Sequence, residues 1–137
     1  MTYVKAFCLW LMFLAVAIAG GIMRDKFLIP WLGPLGGRAC ETLLISAVIF
    51  GLIYAFVKRL KGATWGSLFG LGLFWTALTV LFECLFGHYV MGASWEAIGA
   101  DYNIVQGRLW PLVLIVTLFG PLVAEKIRDY CRVRKPA

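Results

Sequence analysis

Glu83 lies near the end of the longest apolar stretch in the chain, residues 63–86, and no other charge interrupts that stretch. An acidic side chain at mid-bilayer costs about 2.5–3.5 kcal/mol on insertion scales, so such a residue normally has a partner or a job. Three further apolar stretches, residues 6–22, 42–57 and 109–124, accompany it. A bilayer core takes about 20 residues of helix, with a range of about 17–25. The pattern therefore predicts an all-α integral membrane protein, a four-transmembrane-helix bundle in one domain. The expected spans are 6–22, 39–57, 63–86 and 109–125, followed by a basic tail over 126–137. A hydrophobic content of 62% over 137 residues and a mean hydropathy of +0.87 point the same way.

The first stretch also has the outline of a signal peptide: Lys5, an apolar run, then Ala17-Ile18-Ala19. Gly20-Gly21-Ile22-Met23 continues the apolar run, so a retained helix is expected. Charge sets the orientation. With the N-terminus inside, the inner segments carry nine basic residues (Lys5, Lys58, Arg59, Lys61, Lys126, Arg128, Arg132, Arg134, Lys135) against Glu125 and Asp129. The outer segments carry Arg24, Lys26, Arg38 and Arg108 against Asp25, Glu41, Glu83, Glu96 and Asp101. This split follows the positive-inside rule, with both termini cytoplasmic in a bacterial-type inner membrane. Anionic lipid headgroups account for the basic tail, and no nucleic acid is needed.

Four cysteines, Cys8, Cys40, Cys84 and Cys131, show no metal-ligand spacing. Cys40 and Cys84 fall on the outer side, where a disulfide is permitted; plain packing is the expected role. Pro30, Pro34 and the glycines at 33, 36 and 37 predict irregular backbone in the first connection, 23–37. The second connection, 58–62, is so short that its flanking helices must be antiparallel neighbours. Gly62, Gly66 and Gly70, four apart, form a face that permits close helix packing, within the chain or against another protomer. In the third connection Ser94 can cap a short helix with Glu96 in its first turn. Trp95, Ile98 and Tyr102 then share a side, as in an interfacial amphipathic segment.

Thr76, Thr79 and Glu83 are spaced i, i+3, i+7 and share one helical face. A polar stripe ending in an acid resembles a proton or cation path. The plainer alternative stays open: Glu83 at the outer interface, with the threonines bonding their own i−4 carbonyls. Arg38, Glu41 and Arg108 come from helix ends of similar depth. Arg38 is expected either to pair with Glu41 on one helix or to reach Glu83 as a bidentate clamp. His88, the single histidine, reads as a hydrogen-bonded interfacial residue; with Glu41, Glu83 and Asp101 it has no ligand spacing for a metal. No nucleophile elbow, zinc-protease motif, phosphate loop or haem attachment motif is present, and no cofactor is implied.

The expected function is a small transporter or channel for an ion or small solute, homo-oligomeric or partnered within a membrane complex. Its candidate binding residues are Glu83, Thr79, Thr76, Arg38, Glu41, His88, Asp101 and Arg108. A non-catalytic subunit of a larger membrane complex is the alternative. An outer-leaflet lipid-modifying enzyme working through Glu83, His88 and Asp101 is the third possibility.

Overall fold

Gly33 sets the course of the chain. It takes φ 80 and ψ 169, a conformation open to glycine alone, immediately before Pro34. The computed structural model describes residues 2–100 and 110–134, and all their regular structure is helical. Helix α1 (Thr2–Met23) passes through a π-helical segment (Arg24–Leu28) into α2 (Ile29–Arg59). Then follow α3 (Trp65–Leu85), a second π-helical segment (Phe86–Val90), α4 (Trp95–Ala100) and α5 (Trp110–Arg134).

The run Tyr3–Arg59 counts 57 residues of nearly unbroken helical hydrogen bonding. Straight, it would extend about 86 Å at 1.5 Å per residue, far beyond a bilayer. Instead it folds into a hairpin at Gly33, so that Gly20 packs on Ile45 and Gly37 packs on the backbone of Ile29. A Cβ on Gly37 would lie 2.9 Å from the Ile29 nitrogen, so the second arm depends on glycine there. The first connection is thus helical on both sides of one residue, where irregular backbone was expected. The prolines do act, but locally. Pro30 cannot donate to the ladder, and the carbonyl four residues before it belongs to Lys26, inside the π-helical segment. Pro34 forces the break onto Gly33.

Contacts across the helices give their directions. Trp75 Nε1 donates to the Ala6 carbonyl at 2.9 Å and Trp10 Nε1 to Thr79 Oγ1 at 3.1 Å, so α1 and α3 run parallel. Gly120 meets Ile53, and Arg128 meets Val57 and Leu60, so α2 and α5 also run parallel. Each of these pairs is antiparallel to the other. Trp75, wholly buried, anchors the core among Phe13, Phe56, Ile49, Ile53 and Leu68. Its indole and that of Trp10 pack between the helices, and both N–H groups find acceptors.

The connection between α2 and α3 is tight. Leu60 closes α2, Gly62 turns at φ 68, and Thr64 and Ser67 form a reciprocal capping box. Beyond the second π-helical segment, Gly92 reverses the chain at φ 69 and Ser94 Oγ accepts from the Ala97 N–H at 3.1 Å, capping α4 as expected. Helix α5 continues to Arg134 through much of what reads as a basic tail. Arg132 and Arg134 stand in its last turn, where the dipole favours cations.

Two helical stretches, Tyr3–Arg59 and Trp65–Val90, are long and apolar enough to cross a membrane. Their outer surfaces carry Phe7, Leu11, Met12, Ile18, Leu43, Leu44, Val48, Leu73 and Leu81, all exposed. Water-soluble proteins rarely present contiguous apolar surface on this scale, whereas lipid solvates it without cost.

Candidate functional site around Glu83

The polar face of α3 divides into two parts. In the first, Thr79 donates to the Trp75 carbonyl at 2.8 Å, its i−4 residue, while accepting from Trp10. One turn earlier, Thr76 and Thr117 share a hydrogen bond of 3.0 Å between α3 and α5, and Thr117 also bonds the Leu114 carbonyl. These hydroxyls are committed to joining helices. Close by, a Cβ on Gly72 would overlap the Leu118 carbonyl oxygen. Pro121 removes one ladder donor from α5, so the carbonyl of Thr117 has no i+4 N–H and lies near the same glycine.

Glu83 begins the second part. It lines a small cavity of about 90 Å³ with Phe13, Leu14, Ala17, Ile49, Thr79, Phe82, Val113 and Thr117. Leu14 is the midpoint of the apolar stretch 6–22, while Ile49 and Thr117 stand at the middles of 42–57 and 109–124. Against α1, Glu83 is level with Leu14, because Trp75 bonds Ala6 and Thr79 bonds Trp10 in parallel register. Against α5 it lies toward the Trp110 end, because Thr117 meets Thr76, seven residues before Glu83.

Glu83 also lines a second void, a cleft of about 270 Å³ bounded by Phe82, Phe86, Gly87, Ala93, Ala97 and Ile98. Phe82 and Phe86 stack at 5.2 Å between ring centroids, making an aromatic wall. Helix α4 closes the far side, where Ile98 rests over Gly87. His88 points elsewhere. Its Nδ1–H donates to the Ala93 carbonyl at 2.9 Å, and its ring stacks on Trp95 at 4.1 Å. That arrangement holds the turn before α4, in keeping with a hydrogen-bonded interfacial histidine.

The other candidate residues are distributed differently from the sequence expectation. Glu41 pairs with Arg24, at 3.0 Å from Nη1, and not with Arg38. Arg24 Nε holds Asp25 at 2.9 Å. Glu41 is only 6% exposed, so this pair clamps the α1–α2 hairpin from within. The signal was present in the sequence: Arg24 stands nine residues before Gly33 and Glu41 eight after it. Arg38 offers its carbonyl to Thr42 Oγ1 at 2.9 Å, and both Arg38 and Glu83 have interactions of their own. Asp101, Tyr102 and Arg108 lie outside the described residues.

Within the chain, the expected glycine face does not make the close approach. Gly62 lies in the turn before α3, Gly66 faces open space, and Gly70 has only the Tyr3 hydroxyl near it at 3.7 Å. Gly72 takes that role. All four cysteines are free, Cys40 and Cys84 included. Among the described residues no group of three or more His, Cys, Asp or Glu side chains is placed to hold a metal.

A second charged cluster escaped the sequence reading. Arg128 donates to the carbonyls of Val57 at 3.1 Å and Leu60 at 2.9 Å, covering the exposed end of α2, and pairs with Glu125. Glu125, counted in the sequence only among the inner-side charges, is 7% exposed. The guanidinium completes carbonyls that the helix end leaves open and sits at the negative end of its dipole. Comparison of the chain with family models, with curated proteins and with solved structures finds no match.

Proposed function

We propose that this is a four-span inner-membrane protein with both termini cytoplasmic, acting as a small transporter or channel with Glu83 as its ion- or solute-binding acid. One observation carries the reading: Glu83 borders two voids, one lined from α1, α2, α3 and α5 and one opening toward α4. An ionisable residue on an apolar helix that faces a cavity is the usual mark of a substrate or ion pathway. The threonines serve this site by fixing α3 against α1 and α5. Lys58, Arg59, Lys61, Lys126, Arg132 and Arg134, all exposed, face anionic lipid on the cytoplasmic side in this reading.

The test is flux in proteoliposomes, with proton and alkali-cation movement followed by dyes. Wild-type protein is expected to conduct, and Glu83→Gln to abolish flux while eluting and melting as the wild type does. Flux that survives Glu83→Gln, or the absence of flux of any cation, organic cations included, from correctly folded wild type, removes the reading.

The alternative, a non-catalytic subunit, draws support from the hairpin corner. Trp31 is 87% exposed there, beside exposed Phe27, Leu32 and Leu35. Native mass spectrometry of protein released gently from its own membrane separates the two. A homo-oligomer favours the transporter, and a stoichiometric unrelated polypeptide favours the subunit.

A further inference from the structure

The cleft beside Glu83 is walled in a way that narrows what it can hold. Among the described residues its one acidic group is Glu83, and Phe82, Phe86, Gly87, Ala93, Ala97 and Ile98 line it with that carboxyl group. A bare metal cation is a poor match. Alkaline-earth ions require six or more oxygen ligands to replace their hydration. Here the nearby main-chain oxygens are engaged, the Gly87 carbonyl by the Ala93 N–H at 2.9 Å and the Ala93 carbonyl by His88. A strongly hydrated ion would exchange water for phenyl rings and methyl groups.

An alkylammonium ion has the opposite requirements. Its charge is spread over an apolar body, it loses less on leaving water than a metal ion does, and aromatic faces attract it. Phe82 and Phe86 supply that aromatic wall within the same cleft as the carboxyl group. A volume of about 270 Å³ is just under the usual range of about 300–1,000 Å³ for ligand pockets. It has room for a compact organic ion. Glu83 already has an interaction of its own, so binding is an exchange of partners.

We propose that the Glu83 cleft binds a small organic monocation of the alkylammonium class, with the charge at Glu83 and the alkyl groups against Phe82 and Phe86. This inference rests on the reading of Glu83 as the binding acid and names the class of its ligand.

The probe is choline, compared with its neutral isostere 3,3-dimethyl-1-butanol, in equilibrium dialysis against the full chain in lipid nanodiscs. Choline is expected to bind saturably, at least tenfold more tightly than the neutral alcohol. Glu83→Gln should weaken choline at least tenfold and leave the alcohol unchanged. Phe86→Leu keeps the carboxyl group and apolar volume but removes an aromatic face, and should weaken choline about threefold or more. It keeps the proposal testable even if Glu83→Gln fails to fold. Absence of saturable choline binding, equal affinity for the two probes, or choline affinity unmoved by both variants overturns the proposal. Glu83-dependent proton or alkali-cation flux without choline binding overturns this inference and spares the transporter reading. Choline binding at Glu83 with no flux of any cation, choline included, does the reverse.

Discussion

The two halves of the polar face on α3 use similar residues to different ends. Around Thr76 and Thr79 every hydroxyl is committed, and Gly72 brings the α5 backbone into contact with α3. Two turns of chain from Thr76, at Glu83, the packing opens into a cavity on one side and a cleft on the other. In lipid there is little hydrophobic force to hold helices together, so small residues and interhelical hydrogen bonds carry much of that work. The closed half supplies the rigidity, and it leaves the open half able to contain voids without the helices collapsing into them. Polarity on one helix face is thus no guide to function by itself; what matters is whether each group already has its partners within the bundle.

Substitutions sharpen this contrast. The largest loss is expected at the foot of the closed half, for Arg128→Ala. It strips the Val57 and Leu60 carbonyls of their donor and leaves Glu125 buried without its counter-ion. Breaking one side of a buried pair costs about 3–5 kcal/mol, read as a fall in apparent melting temperature in detergent. Gly72→Val should follow, at about 1–3 kcal/mol or more, since its methyl groups meet a carbonyl that has no room to move. Thr79→Val keeps the shape but strands the Trp10 indole N–H, a loss of about 1–3 kcal/mol. Gly66→Ala should be the smallest change and opposite in sign. Nothing lies within 4 Å of its would-be Cβ, and alanine is the better helix former by under about 1 kcal/mol. Equal losses at Gly66 and Gly72 would break the comparison and move the close packing back to the expected glycine face.

Much of the architecture is legible in the chain because its signals are local. The apolar stretches, the short second connection, the Ser94 cap and the i−4 bond of Thr79 each depend on residues a few positions apart. The misreadings share a different cause. Gly72 is a lone glycine, and nothing in its spacing shows that it faces the α5 backbone while Gly66 faces outward. The partnership of Arg24 with Glu41 requires knowing that the chain bends at Gly33 and that helix persists on both sides. Proline and glycine there suggest a loop by composition, yet one left-handed residue and one π-helical segment absorb them all. The level of Glu83 against α1 is hidden for the same reason. It depends on the stagger of α1 against α3, which two indole hydrogen bonds set over 69 positions of sequence.

The central claim is that Glu83 reaches the open cleft beside α4, while Thr79, one turn earlier, borders only the inner cavity. Substituted-cysteine labelling tests this most directly, in a background where Cys8, Cys40, Cys84 and Cys131 are serine. A membrane-impermeant cationic methanethiosulfonate, applied from the outer side, is predicted to label Glu83→Cys through the cleft and to leave Thr79→Cys untouched. Tyr89→Cys, exposed just beyond, serves as the positive control. Equal labelling at 79 and 83, or a silent 83 beside a reactive 89, would contradict the account.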